Sequence, residues 1–308
     1  MGTYIIRRLI QMIPVAIGVT FFVFSIMHLT PGDPARIMAG EAARPEVIEA
    51  LRAQMGLDDP FFVQYFRYLG RLVQGDLGNS VRGNNLPVAY LIFENRMAIT
   101  FQLAIAATSF SILLGILIGV FQATRRNSAI DMGLMFVTLA GMSMPIFWLG
   151  LLMINLFAVS WRILPVAGWG TLAQAIMPVL CLASGSSAVV ARMTRASLIE
   201  VLDQDYIRTA YAKGLAEAKI IYKHALRNAL IPVITLVGLQ FGGLLAGAVV
   251  TETIFAINGM GRLIIDSIRQ QDFPVVQGGI LVFSLTFMFV NLIVDISYRL
   301  INKRIDYS

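Results

Sequence analysis

Six segments of this sequence, at 9–29, 99–121, 132–158, 175–191, 231–250 and 278–301, are almost unbroken runs of apolar residues. A stretch of about 20 such residues crosses a hydrocarbon layer ~30 Å thick when helical. Only 14% of the chain is charged, against about 25% in soluble proteins. The expected fold class is therefore an all-α polytopic membrane protein with six transmembrane helices. The first run follows Arg7 and Arg8 but exceeds a signal-peptide core, and no small-residue cleavage site follows it, so it reads as a retained first helix.

Basic residues sort the connections between runs. One set carries Arg7, Arg8, Arg125, Arg126, Arg192, Arg195, Arg208, Lys213, Lys219, Lys223, Arg227, Arg299, Lys303 and Arg304, fourteen in all. The short connections opposite hold only Arg162, Arg262 and Arg269. Positive residues stay inside, so both termini and the 192–230 connection are expected in the cytoplasm. The net charge of +6 records those loops rather than nucleic-acid binding, since no basic stripe interleaves with aromatics.

The expected organisation is residues 1–30 as N-terminal end and first helix, 31–97 as a long extracytoplasmic loop, 98–301 as the core holding helices 2–6, and 302–308 as a tail. Within the long loop, PEVIEALRAQMGL (45–57) has a proline at a helix start and Gly56 near its end. FFVQYFRYLGRLVQGDLGNS (61–80) places Phe62, Phe66 and Leu69 on one face, continued by Leu72 and Val73. Two short helices on the outer membrane face are predicted.

The fifth run opens with Pro232 just inside its expected start. Gly238, Gly242 and Ala246, with Gly243 and Gly247, make small-residue faces that let helices approach closely in lipid, and Gly115 and Gly119 repeat the device. Intramembrane polar groups are costly and draw attention. Gln102, Asn155, Gln240 and Asn291 either line a polar passage or bond across helices. Glu252, expected just beyond the fifth run, is a candidate for a pore mouth or a surface acid. Asp295 pairs with Arg299 one turn on or serves an ion relay.

The absences also count. His28 and His224 are the only histidines, so no HExxH metal site can be built. None of the four lysines follows a glycine, so there is no P-loop. Cys181 stands alone in an apolar run, which excludes a disulfide framework. No cofactor and no catalytic cluster is expected, which argues against a membrane-embedded enzyme and leaves a stand-alone channel without a self-sufficient pore.

One segment breaks the apolar pattern. DYIRTAYAKGLAEAKIIYKHALRNALIP (205–232) is basic, with helical spacing running from Ser197 to Lys213 and resuming at Ala216 after Gly214. Glycine ends one helix and lets the chain turn into the next. A compact helix–turn–helix of this kind suits a groove on a soluble partner. Periodicity alone equally permits an amphipathic segment lying on anionic lipid.

The segment Arg208–Leu215 (RTAYAKGL) resembles the EAA loop of membrane subunits in binding-protein-dependent ABC importers. Arg208 and Thr209 replace the usual Glu-Ala, and HALRNALIP (224–232) departs from the common ending. Both departures are similar to the peptide/nickel branch. Seven further matches follow in order: PGDPAR, MGLDDPF, GDLGNS, SMPIFWLG, ARMTRAS, TETIF with GMGRLI, and DFPVVQGG. The stretch GDPARIMAG and the overall length resemble the dipeptide and glutathione members.

This resemblance implies a type I ABC importer permease fold in a bacterial inner membrane. It implies pairing with a second homologous permease, two cytoplasmic ATP-binding subunits and an extracytoplasmic solute-binding protein. The implied cargo is a di- or oligopeptide, glutathione included, while nickel chelates, opines or sugars belong to the same branch. The basic segment becomes the ATPase-coupling element, with Gly214 at the turn, Leu215, Ala216 and Glu217 at the contact, and Arg208, Thr209, Ala210 and Lys213 flanking it.

Overall fold

The computed structural model describes residues 2–29, 32–40, 43–83 and 85–301, with side chains from 5 to 296. The helices are α1 (Gly2–Leu29), α2 (Pro34–Ala39), α3 (Pro45–Met55), α4 (Phe61–Val73), α5 (Val88–Phe93), α6 (Arg96–Thr124), α7 (Ala129–Ser143) and α8 (Ile146–Met153). They continue as α9 (Leu172–Leu202), α10 (Asp205–Ala212), α11 (Glu217–Lys219), α12 (Leu226–Ile254), α13 (Met260–Arg269) and α14 (Phe273–Ile301). Two π-helical stretches, Ile154–Ser160 and Ile220–Ala225, extend α8 and lead into α12. An isolated antiparallel bridge joins Asn79 and Pro87. Among the described residues, five helices are long and apolar enough to cross a membrane, six if α7 and α8 count as one.

Contacts divide the chain into two units. The first comprises residues up to 99 together with 258–292. Here Phe24 of α1 packs with Tyr65 and Tyr68 of α4, all three buried. The Thr20 hydroxyl meets the Tyr65 hydroxyl at 3.1 Å, and His28 meets Gln64 at 3.0 Å. Of the face that carries Phe62, Phe66, Leu69, Leu72 and Val73, Leu69 and Leu72 pack against this cluster, whereas Phe62 and Phe66 are 63% and 66% exposed. A second cluster joins Val88 and Ile92 of α5 to Met260 and Leu263 of α13 and to Val275 and Val282 of α14. The buried Asp272 fastens the 80–83 turn: its carboxylate accepts from the Ser80 hydroxyl, from Val81 N at 3.1 Å and from Arg82 N at 3.2 Å.

The second unit comprises residues 100–257 and the chain from 293. Its centre is α9, whose Thr171 cap and Gln174 form a capping box. Helix α6 runs parallel to α9 at close range. A Cβ on Gly115 would lie 2.6 Å from Val190 Cβ, and one on Gly119 would lie 2.5 Å from Thr194 Cβ. Helix α12 packs on the other side, where Gly247 faces Leu182.

Three expectations need correction. The 132–158 run is not one straight helix: α7 and α8 are bent by 107° at Met144–Pro145. Proline forces the preceding residue out of the helical region, and Met144 adopts φ −75°, ψ 125°. Pro232 lies inside α12 rather than at its start, because polar residues from Leu226 onward continue the helix. The helical spacing from Ser197 to Lys213 belongs to two helices, with a break at Asp203–Gln204.

Asp295 is half-buried on α14, whereas the side chain of its expected partner Arg299 lies outside the described residues, as does the tail 302–308.

Candidate functional site

The basic segment is a rigid platform with an exposed outer face. Helix α10 ends in a Schellman turn, with Leu215 N donating to Ala210 O at 3.4 Å and Gly214 N to Tyr211 O at 2.9 Å. Gly214 has φ +74°, a conformation that other residues adopt only under strain. Beneath the turn, Ile207, Ala210, Ile220, Ile221, Ala225 and Ala229 form one apolar cluster with Val120 and Ala123 of α6 and Leu198 of α9. Burying these side chains ties the segment to one end of each of three long helices, so force applied to the turn reaches α6, α9 and α12 together.

The sequence-derived residues divide by position on this platform. Arg208, Thr209, Lys213, Gly214, Ala216 and Glu217 are exposed. Ala210 is buried and Leu215 packs inward on the cluster, so these two anchor the turn instead of presenting it. Arg208 and Asp205, both strongly exposed, stand 3.6 Å apart, a pair that solvent leaves worth little. Lys219, Lys223 and Arg227 keep the surroundings basic.

Sequence reasoning missed the aromatic part of the surface. Tyr206, Tyr211 and Tyr222 are 44%, 48% and 64% exposed, and the Tyr206 hydroxyl accepts from Asn228 Nδ2 at 2.8 Å. Tyr206, Tyr211 and Tyr222 stand among Arg208, Lys213, Lys219, Lys223 and Arg227, so aromatic and basic residues do interleave here, contrary to the expectation from sequence. It also missed a clamp at the start of α7. Arg195 donates to both carboxylate oxygens of Asp131, at 2.9 and 2.7 Å, and Asn127 N adds a third hydrogen bond at 3.0 Å. Asp131 is almost fully buried, so the ion pair holds α7 against α9 beside the platform.

The polar candidates within the helices do not form one cluster. Gln240 accepts from the Ser186 hydroxyl at 2.5 Å. Gln102, exposed, accepts from Trp169 Nε1 at 3.1 Å. Asn155 is exposed on the π-helical stretch, and half-buried Asn291 belongs to the other unit. Glu252 lies within α12, not beyond it, and is fully buried, accepting from the Thr100 hydroxyl at 2.5 Å. It stitches α6 to α12 and does not stand at an open mouth of this chain.

The glycines likewise separate. Gly242 is buried, Gly247 is in contact and Gly238 is half-buried, whereas Gly243 is exposed and a Cβ there would meet nothing within 4 Å. Among the described residues no group of three metal-ligating side chains assembles.

Comparison with known proteins adds the following. Residues 111–307 match the family described as binding-protein-dependent transport system inner membrane component, and residues 1–112 match its N-terminal companion. The dipeptide transport system permease protein DppB of Alkalihalophilus pseudofirmus is 43% identical, covering 100% of both chains. The glutathione transport system permease protein GsiC of Escherichia coli K12 is 44% identical, also covering 100% of both. A solved structure of the MetNI methionine ABC transporter in an inward-facing conformation shares the fold, with TM-score 0.59 at 16% identity over 69% of this chain and 97% of that one.

Proposed function

Because the chain belongs to the family of binding-protein-dependent transport system inner membrane components, we propose that it carries di- or oligopeptides, glutathione included, across a bacterial inner membrane. It is a multi-pass ABC importer permease subunit, and ATP hydrolysis occurs in partner subunits. A solute-binding protein supplies the cargo. In this reading a second, homologous permease completes the path and two ATPases bind from the cytoplasm. Both termini and the 205–223 platform face the cytoplasm, and the segment 31–97 lies outside.

The observation that carries the reading is the Schellman-turned segment, exposed outside and locked underneath to α6, α9 and α12. Such a lever suits a transition between two rigid arrangements. Arg208, Thr209, Lys213, Gly214, Ala216 and Glu217 would meet the ATPase, while Ala210 and Leu215 fix the turn. Peptide cargo is supported by two relatives named for dipeptide and glutathione transport, both matched end to end. Gln240, Asn291, Glu252, Gln102 and Asn155 remain candidates for the path, with Glu252 acting through Thr100.

The test is reconstitution of the full complex in proteoliposomes. Gly214→Asp should assemble yet lose ATP-driven peptide uptake. Uptake at the normal rate would refute the coupling role. Protease cleavage of the 205–223 segment from outside intact cells would refute the orientation.

A further inference from the structure

The 107° break between α7 and α8 interrupts the third apolar run at Met144–Pro145. The helix neighbours fix its depth. Along α7, Asp131 meets Arg195 and a Cβ on Gly141 would lie 3.8 Å from Ser184 O, while beyond the break Ile146 O accepts from Cys181 Sγ at 3.3 Å. On the α12 side, Ile146 lies by Gly247 and Gly150 by Ile254. On α9 the partners run from 195 through 184 to 181 and stay there, a Cβ on Gly150 lying 3.4 Å from Cys181 Sγ, while on α12 they run on from 247 to 254. The break sits beside residues 181–184 of α9, which begins at Leu172. At 1.5 Å per residue that is roughly 13–18 Å along α9, near the middle of the bilayer.

At that depth the break leaves backbone groups without helical partners. Pro145 has no N–H to offer Gly141 O, four residues earlier. Pro145 caps α8 with no side-chain acceptor, and of the first three N–H groups of α8 it is Trp148 N that turns back to Pro145 O, at 3.0 Å. The residues around the break are not covered: Met144, Phe147 and Trp148 are 38%, 53% and 44% exposed. With Ala140, Ser143 and Pro145 they line an open concavity of about 500 Å³. Irregular backbone does not face lipid in the hydrocarbon region, but it is tolerated where it is buried in protein or lines a water-filled cavity. Broken helices near the midplane also form cargo sites in other transporter folds.

Resting on the permease reading above, we propose that the 140–148 notch lines the aqueous path through the membrane, with Met144 and Trp148 contacting the apolar side chains of a passing peptide. Methionine and tryptophan give adaptable, weakly selective apolar contact, which suits a path whose selection is made by a separate binding protein.

The test uses the whole complex in proteoliposomes. Cys181, fully buried, contributes little background. Met144→Cys and Trp148→Cys are exposed to a hydrophilic, membrane-impermeant thiol reagent with and without a non-hydrolysable ATP analogue, beside Phe136→Cys, whose parent side chain is 74% exposed on α7. Ser143→Cys, nearly isosteric, serves where Trp148→Cys fails to assemble. The notch thiols should react at least roughly ten times faster than the Phe136→Cys thiol, since only a hydrated thiol ionises readily. Their rate should change with the analogue, and modification should stop uptake of glycyl-leucine and glutathione. Rates as slow as the control in both nucleotide states overturn the proposal, placing lipid or another subunit over the notch. Absence of ATP-driven uptake in the unmodified complex overturns the permease reading instead, and the labelling rates still report whether the notch is wet.

Discussion

Two glycine-to-alanine changes, at Gly119 and Gly243, separate close helix packing from mere sequence pattern. Both sit in helix interiors, so both gain about 1 kcal/mol of helix propensity, and that gain cancels in their difference. At Gly119 the new Cβ lies 2.5 Å from Thr194 Cβ and 2.6 Å from Ala191 O. The second of these is main chain and cannot swing aside. Restoring ordinary contact near 3.4 Å requires α6 and α9 to part by about 0.9 Å. Overpacking of this kind costs about 1–3 kcal/mol. At Gly243 a Cβ meets nothing within 4 Å. Gly119→Ala should therefore be about 1–3 kcal/mol less stable than Gly243→Ala. The comparison is made by reversible denaturation of the isolated chain in mixed micelles, so that no partner subunit over Gly243 enters it. Equal stabilities, or a more stable Gly119→Ala, would refute the close approach of α6 to α9.

Arg195→Met should destabilise the chain by about 3 kcal/mol by leaving the buried Asp131 carboxylate without its cation; adding Asp131→Asn should recover part of that loss in a double-mutant cycle. Ile207→Ala should cost about 2–5 kcal/mol by emptying the core beneath the platform, whereas Tyr211→Ala should leave stability unchanged and weaken ATPase association in a pull-down of the reconstituted complex. Tyr68→Phe should preserve or raise stability by up to ~1 kcal/mol, because the Tyr68 hydroxyl is buried without a hydrogen bond. Burial pushes the Tyr68 hydroxyl up to about 12 from its usual 10. The unfolded chain therefore releases this proton first, stability falls as pH rises from 10 to 12, and Tyr68→Phe should remove that contribution to the slope in alkaline denaturation.

The spans were legible because hydropathy over about 20 residues is a one-dimensional signal. Their ends and breaks were not, for reasons visible in particular residues. Met144–Pro145 sits in a run whose hydropathy never falls, so the proline was masked by its neighbours although the rule against helix before proline applied. Pro232 was assigned to a helix start because polarity changes there, yet the helix continues through polar residues on leaving the lipid. Glu252 was placed outside because a carboxylate is costly inside, and only the structure supplies the Thr100 hydroxyl on another helix. Gly243 and Gly247 share one repeat, but neighbours more than fifty residues away, Leu182 and Ile146, decide that only Gly247 is packed. The turn at Gly214 was legible because its chemistry is local: one residue with φ +74° and two backbone hydrogen bonds.

The tight register of α6 on α9 has a mechanical consequence. With Gly115 seated against Val190 and Gly119 against Thr194, neither rod can creep lengthwise along the other by a fraction of a turn. Sliding would have to jump a whole pitch, about 5.4 Å, like a gear skipping a tooth. A shove delivered at the end they share with the 205–223 segment therefore moves the pair by tilt or rotation and not by slippage between them.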